Sequence, residues 1–351
     1  MRMDITPIRR QIGATLTVLL GAATLSCGDG KFSRARLASV SGEVAEAAAA
    51  VTGQQALLAA QVREEGHMGF DTGVYPGDAA LRAWRDAGSP YEWAGYYLPS
   101  PCHPDQSWSG KRETLNSLGY GIAVLYVGQQ TWGRTPGVPY KVPVTVTHKV
   151  RERVGKGSKR HTVTRYVKRT VMRKAPPAQP GETCNGDFVS AKRGMRDGVD
   201  AAFRTALEGF PTGTTVFLDI ERMDRMPQAM RDYYSAWVRT MLADGRYRPG
   251  IYVHTDNANT VYADVKREFL AAGHHEEPPF WIAKSAGFDG RKLPSQMGHA
   301  FAVVWQGVLD IEQTFAGHSI PIDVNVAGSH SPSSSLASYV SAAVVGSRLG
   351  D

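Results

Sequence analysis

The stretch "TTVFLDIER", Thr214 to Arg222, joins a strongly β-forming apolar run to two acids near its end. Side chains of a β-strand alternate between its two faces, so Phe217, Asp219 and Glu221 share one face. The residues that alternate with them are apolar and belong on the opposite face. The stretch therefore predicts a buried strand whose two acids point the same way.

Around this stretch, short β-branched or aromatic runs alternate with runs of helical periodicity, a pattern typical of βα units around a parallel sheet. We predict an α/β protein with a modified, incomplete (β/α)8 TIM-like barrel and weak helices around the sixth and seventh strands; a doubly wound open sheet is the alternative. No G-x-G-x-x-G opens a helix after a strand, which disfavours a dinucleotide-binding fold, and no cofactor is expected. The predicted strands are "HMGFDTG", "WAGYYLP", "GIAVLYVGQ", "TTVFLDIER", "PGIYVHT", "PFWIAKS", "FAVVWQG" and "IPIDVNV".

The positive charge of the chain is concentrated in one segment. The 351 residues carry a formal charge of +7, with an ordinary globular composition of 42% hydrophobic and 21% charged residues. Between Lys141 and Lys174 there are 12 Lys or Arg residues and one acid, Glu152, which is a local charge of +11. The rest of the chain is therefore slightly acidic.

This basic segment predicts a long β-hairpin, residues 139–176, inserted after the third strand. Two runs of alternating Val or Thr with Lys or Arg flank the turn "GKGSK". So many like charges repel one another unless an anion lies nearby. We favour an arm that binds anionic envelope polymers, lipid headgroups or a partner over a merely solvated arm; nucleic-acid binding through the arm is the least favoured role.

The amino terminus, residues 1–27, has the features of a bacterial export signal. Basic residues precede the apolar run "IGATLTVLLGAATL", which is too short for a comfortable membrane span. The pair Arg9–Arg10 resembles a twin-arginine motif, and "TLSCG" resembles a lipobox with Cys27 as the lipidated residue. We predict export to the cell envelope with a lipid anchor; cleavage nearby and free secretion is the alternative.

Two cysteines remain once Cys27 is set aside. Cys102 and Cys184 flank the basic segment, and an even pair in an oxidising compartment predicts a disulfide. The remaining predicted organisation is a helical or partly disordered stalk at 28–65, the barrel at 66–328, and a polar linker with a terminal segment at 329–351.

Four acids lie at or near the ends of predicted strands, where barrel enzymes place their active sites. Clustered carboxylates raise one another's pKa, so that one stays protonated while another is ionised, as glycoside hydrolysis requires. A hard divalent cation is the rival explanation. The metal explanation is weakened because His254 is the only histidine near a strand end that could serve as an additional ligand. No metal site is therefore predicted. The four acids are Asp71, Asp219, Glu221 and Asp323.

Several large aromatic side chains fall in or near the strands and are candidates for stacking against sugar rings. Most aromatics in barrel strands belong to the core, and we expect this of about half of these. The sequence has no G-x-S-x-G elbow and no free cysteine paired with histidine, which disfavours serine or cysteine nucleophiles. The aromatic candidates are Tyr96, Tyr97, Tyr126, Tyr252, Trp281 and Trp305.

In their order along the chain, "MGFDTG", "FLDIER", "GIYVHT", "FWIAKS", "VVWQG" and "IDVNV" resemble the glycoside-hydrolase-like domain of unknown function 1906. That family is similar in turn to glycoside hydrolase family 25, the lysozyme-type muramidases. The resemblance covers roughly 66–328 without the basic hairpin. It implies a modified barrel and a muramidase-like site in an exported bacterial protein.

The resemblance also implies roles for individual residues. Glu221 would be the general acid, and Asp219 would act as nucleophile or orient a substrate acetamide. Asp71 and Asp323 would bind substrate or tune the acid. The family's cleft-wall residues correspond to Tyr252, Trp281 and Gln306. Tyr97 is a further substrate-binding candidate because it is an aromatic residue of a predicted strand.

Three departures from the family pattern remove side chains from the implied cleft. Gly73 stands where many members carry cysteine, "WQG" replaces Trp-Gln-Tyr, and "KSAG" follows "WIA" where an aromatic is common. The sequence thus leaves two functions open: hydrolysis of β-1,4 bonds in peptidoglycan or a related polymer, and non-catalytic binding of envelope glycan through the same cleft.

Overall fold

The structure is a computed structural model that describes residues 65–131, 136, 141–174 and 181–334. The predicted export signal with Cys27, the predicted stalk up to residue 64, and residues 335–351 of the predicted terminal segment lie outside the described residues, as do 139–140 and 175–176 of the predicted hairpin. Within the described residues, no helix has the length and apolar character needed to cross a membrane.

Eight strands close into a barrel, which confirms the predicted fold class. Two further strands, β4 and β5, form a separate two-stranded sheet. The strands are β1 (His67–Asp71), β2 (Trp93–Tyr97), β3 (Gly121–Val127), β4 (Lys141–Val154), β5 (His161–Lys174), β6 (Thr215–Ile220), β7 (Arg248–His254), β8 (Phe280–Ala283), β9 (Ala302–Phe315) and β10 (His318–Ala327). The order around the barrel is β1-β10-β9-β8-β7-β6-β3-β2.

One strand of the barrel runs against the others. β10 is antiparallel to both β1 and β9, while the remaining neighbours are parallel. The expectation that Asp323 ends a parallel eighth strand is therefore wrong. Asp323 lies within β10, and the reversed direction of that strand brings it level with Asp71, its register partner on β1.

In the part of the chain that the structure describes, five α-helices connect the strands, and local signals set their ends. Ser190 caps the third helix by accepting a hydrogen bond from the backbone N–H of Arg193 at 3.3 Å. The fourth helix ends at Gly245, whose φ of 72° is left-handed, a normal helix stop. The helices are α1 (Asp78–Asp86), α2 (Arg112–Ser117), α3 (Ala191–Leu207), α4 (Gln228–Asp244) and α5 (Thr255–Ala271).

The alternation of side chains along the strands separates two apolar regions. In β6, Val216, Leu218 and Ile220 pack outward in the larger core. Phe217 instead belongs to a smaller cluster formed by inward side chains of the barrel strands, together with Trp281 and others. The inside of the barrel is thus filled by side chains, and its polar groups collect above this filling, at the end where Asp219 lies.

The tip of the β9–β10 hairpin packs against helix α1. The tip residue Phe315 packs edge-on against Trp84 of α1, with ring centroids 5.1 Å apart. The Trp84 indole N–H donates to the His318 carbonyl at 2.8 Å. Only a short 3-10 turn, Pro294–Gln296, lies between β8 and β9, as expected from the weak helical signals in this part of the sequence.

Candidate active site

Two of the four acids lie side by side on β1 and β10. The Gln306 side chain joins them, because its Nε2 donates to Asp71 Oδ1 at 3.0 Å and to Asp323 Oδ2 at 3.1 Å. Asn325 Nδ2 also donates to Asp71 Oδ1, at 2.7 Å. Three strands, β1, β9 and β10, thereby hold one polar network at the mouth of the barrel.

Asp71 is the most heavily hydrogen-bonded of the four acids. In addition to the two amides, Tyr97 Oη donates to Asp71 Oδ2 at 2.7 Å. Burial raises the pKa of Asp71, and the hydrogen bonds from Tyr97, Asn325 and Gln306 limit that rise. Packing is also tight, since a Cβ at Gly95 would lie 2.6 Å from Asp71 Cβ. Asp71 is therefore fixed in one orientation.

Asp219 has a different environment, although it lies at the same mouth. It is 8% exposed, and its Oδ1 has no hydrogen-bond partner among the described residues. Burial raises the pKa of Asp219 well above its usual value, and the charges of Glu221 and Asp71 raise it further. The arrangement favours a neutral carboxyl, or an anion only when a ligand donates to the free oxygen.

Glu221 follows β6 by one residue and is exposed at the mouth. Although the residue as a whole is exposed, desolvation by the surrounding protein raises the pKa of its carboxyl group. A solvent-accessible acid with a raised pKa can reach a ligand and still carry a proton to give to it.

Asp323 completes the cluster. Burial and the nearby charge of Asp71 raise its pKa to about 7. The backbone N–H of Asp310 donates to Asp323 Oδ1 at 2.7 Å. Asp310 has a left-handed φ of 52°, and the β9–β10 register shifts beside Asp323. The bend of this hairpin thus positions an acid of the site.

The predicted aromatic lining separates into accessible and buried residues. Tyr97 and Tyr252 are partly exposed, and Tyr252 Oη donates to Gln306 Oε1 at 2.6 Å. Trp281 is fully buried, so the expectation that it lines the cleft is wrong. Its indole lies edge-on to Tyr252 and donates to Asn325 Oδ1 at 3.0 Å, which supports the network from below. Three further candidates, Tyr96, Tyr126 and Trp305, are core residues.

A glutamine that the sequence interpretation missed holds the end of β6. Gln130 Nε2 donates to the Asp219 carbonyl at 2.8 Å, and the Glu221 N–H donates to Gln130 Oε1 at 3.1 Å. Gln130 is completely buried. It follows the apolar strand β3 in "YVGQQT", so the rule that singled out the acids, a polar residue after an apolar strand, also applies to it.

The predicted disulfide is present between Cys102 and Cys184. The neighbouring glutamine, Gln129, links it to the Gln130 clamp, the pair of hydrogen bonds by which Gln130 holds the end of β6. Gln129 Nε2 donates to the Thr183 carbonyl at 2.7 Å, and the Asn185 N–H donates to Gln129 Oε1 at 3.0 Å. The two glutamines therefore connect the backbone on both sides of Cys184 to the backbone around the acids.

His103 is a second residue that the sequence interpretation missed. Its ring lies 4.9 Å from the Tyr97 ring, and its Nε2 is buried without a hydrogen-bond partner among the described residues. Burial lowers the pKa of His103, which favours the neutral ring. His254, the nearest metal-ligand candidate, instead caps α5 by accepting from the Asp256 N–H. Across the described residues, no group of three or more His, Cys, Asp or Glu side chains is arranged to hold a metal ion.

Comparison with known proteins gives a family and a set of distant structures. A model of the Rv2525c-like, glycoside hydrolase-like domain matches residues 82–327. No curated protein matches the chain.

Three solved structures are similar to this chain. An uncharacterised Bacillus stearothermophilus protein has 16% identity and a TM-score of 0.43, over 75% of this chain and 96% of its own. The Clostridium perfringens spore cortex lytic enzyme SleM has 10% identity and a TM-score of 0.44, over 75% and 68%. GHIP, a glycosyl hydrolase 25 of Streptococcus pneumoniae, has 11% identity and a TM-score of 0.39, over 74% and 86%.

The family match spans more than two thirds of the chain and includes every strand of the barrel except β1. It confirms the family resemblance seen in the sequence motifs. The chain belongs to the Rv2525c-like family of glycoside hydrolase-like domains.

Proposed function

We propose that this protein is an exported hydrolase of cell-envelope glycan that cleaves β-1,4 bonds in peptidoglycan or a related polymer. The observation that carries the proposal is the cluster of four acids at the barrel mouth, in which Glu221 is exposed and Asp219 is buried with a free oxygen. Glycosidic cleavage needs two carboxyl groups with different environments and different protonation. Membership of a glycoside hydrolase-like family supports the same chemistry.

In the proposed reaction, Glu221 donates its proton to the glycosidic oxygen as the bond to the anomeric carbon breaks. A water molecule adds its oxygen to the anomeric carbon, and the proton that it releases passes to a carboxylate of the acid cluster. Asp219 Oδ1 lacks a protein donor among the described residues, which favours the role of accepting the N–H of a substrate acetamide over that of nucleophile. Asp71 and Asp323 set the charge of the site, and Tyr97, Tyr252 and Gln306 contact the substrate.

Export and anchoring form part of the proposal. The disulfide between Cys102 and Cys184 suits an oxidising compartment outside the cytosol. Lipidation at Cys27 and the twin-arginine route are predictions from residues outside the described part of the chain. The basic hairpin would hold the enzyme to anionic envelope polymers or lipid headgroups.

A non-catalytic glycan-binding module is the second candidate, and one observation favours it. The Phe288 ring lies where a side chain at Gly307 would start, 1.9 Å from an added Cβ, so the aromatic side chain of the muramidase pattern has no room at this position.

The two candidates are separated by measuring hydrolysis and binding on the same protein. Residues 28–351 are incubated with purified peptidoglycan, and new reducing ends and sedimented protein are both measured. We expect release by the native sequence, its loss in Glu221→Gln, and normal release by Glu312→Gln, a matched change of an exposed acid. Retained binding without release by the native sequence would instead support the binding module.

A further inference from the structure

The sheet of β4 and β5 carries two chemically different faces. The strands pair in continuous antiparallel register from Lys141↔Lys174 to Val154↔His161. Residues directly opposite each other project to the same face, and each strand alternates between faces. The register therefore assigns every side chain of the hairpin to one face or the other.

One face, hereafter the valine face, contains Val142, its partner Arg173 and every second pair that follows. Eight of its fourteen positions are valine, three are arginine, and the only acid is Glu152, 3.7 Å from Arg165. The opposite face contains five threonines and six Lys or Arg residues. The valines are thus confined to one side of a strongly basic ribbon, and the other side carries only Pro143, Met172 and Tyr166 as apolar or aromatic side chains.

The valine face is accessible in the described part of the chain. Val150 is 42% exposed and Val167 is 39% exposed, and the sheet pairs with no third strand there. An isolated two-stranded hairpin has little stability in water. Its strands are about 45 Å long by the usual rise per residue. Such a ribbon needs a surface that takes up both the valines and the cations.

Charge and apolarity together select the kind of surface. A second copy of the ribbon would bring Arg165, Arg169 and Arg173 against the same arginines, which is repulsive. A soluble anionic polymer would neutralise the arginines but would leave the valines in water. An anionic lipid surface meets both needs, because headgroups bind arginine and the acyl boundary accepts apolar side chains.

We propose that residues 141–174 form a membrane-binding ribbon that lies on anionic lipid with its valine face toward the acyl boundary. This inference deepens the anchoring part of the proposed function, by choosing lipid over envelope polymer, but it does not depend on glycan hydrolysis. The three arginines of the valine face contact headgroup phosphates, and the lysines and threonines of the other face remain in the aqueous layer.

The test is co-sedimentation of residues 28–351 with vesicles of phosphatidylcholine alone or of equal parts phosphatidylglycerol and phosphatidylcholine. The variant Val144→Thr/Val150→Thr/Val163→Thr/Val171→Thr keeps charge, side-chain shape and β-branching. Its matched control changes the other face: Thr145→Ser/Thr147→Ser/Thr164→Ser/Thr170→Ser. Soluble polyphosphate serves as a polyanion without an apolar phase.

We expect the native sequence to bind anionic vesicles and not neutral ones, and the valine variant to bind them roughly tenfold more weakly or worse. The serine control binds like the native sequence, and all three bind polyphosphate equally. Equal binding of the valine variant and the native sequence to anionic vesicles would overturn the inference in favour of an arm that binds by charge alone. Binding of the native sequence to polyphosphate but not to anionic vesicles would also overturn it. Far-UV circular dichroism verifies that the variants retain their strand content.

Discussion

At the scale of single residues, the site depends on neighbouring acids being held in unlike environments. Asp71 accepts three hydrogen bonds, whereas Asp219 has a buried oxygen without a partner among the described residues. Glu221 is exposed and still has a raised pKa. Unlike environments divide the roles of proton donor and substrate acceptor among side chains of similar chemistry.

The raised pKa of Asp323 predicts how stability depends on pH. Its pKa is about 7 in the folded protein, against an ordinary value of 3.8. The folded state therefore binds the extra proton between these values, and the stability it confers is lost as the pH rises through 7. We expect urea denaturation of Asp323→Asn to show a flatter decline in unfolding free energy from pH 5 to pH 8 than the native sequence. An unchanged slope would show that Asp323 titrates normally.

Gln130 is predicted to be a positioning residue for Glu221. Gln130→Met keeps the volume and removes both hydrogen bonds to the β6 end, so we expect kcat to fall about tenfold or more while KM changes by less than about threefold. Gln130→Glu retains the acceptor for the Glu221 N–H and should recover part of kcat. The matched control is Gln106→Met at an exposed loop position.

A loss confined to KM in Gln130→Met would show that Gln130 serves substrate binding. Equal losses in Gln130→Met and in the Gln106 control would show that the effect is not specific to the clamp.

At the scale of elements, the sequence placed the strands well because their apolar runs are short and separated by Gly-terminated helical runs. The antiparallel direction of β10 was not predicted. "IPIDVNV" has the same pattern in either direction. Its antiparallel course follows from the tight turn at Ala316 and Gly317, both with left-handed φ, between the end of β9 at Phe315 and the start of β10 at His318. Asp323 was predicted as a site residue on the assumption that its strand is parallel to its neighbours, whereas the strand is antiparallel.

The disulfide is the element-scale feature with the clearest energetic consequence. It joins residues 82 positions apart, so it restricts a long loop in the unfolded chain. We expect Cys102→Ser/Cys184→Ser to lower the unfolding free energy by about 2–4 kcal/mol in urea titrations. Because Gln129 bonds the backbone on both sides of Cys184, hydrolysis should also decline below the melting temperature. A double variant as stable as the oxidised protein would contradict this expectation.

At the scale of the whole molecule, the barrel and the family could be predicted from alternating patterns and ordered motifs. The support of the site could not. Gln130 meets Asp219 and Glu221 because β3 pairs with β6, and Asn325 meets Asp71 because β10 pairs with β1. Trp281 looked like a cleft residue because strand alternation gives the direction of a side chain and not its depth. Two-residue periodicity shows that Trp281 points inward, whereas its complete burial depends on the neighbouring side chains that fill the barrel.

The central claim is that Glu221 acts with Asp219 to hydrolyse a glycosidic bond, and product chemistry tests it most directly. Peptidoglycan digested by residues 28–351 is reduced with borodeuteride, and the soluble fragments are analysed by mass spectrometry. We predict deuterated sugar alcohols at new chain ends with the native sequence and with Glu312→Gln, and none with Glu221→Gln. Absence of such ends with the native sequence, or their undiminished formation by Glu221→Gln, would contradict the claim.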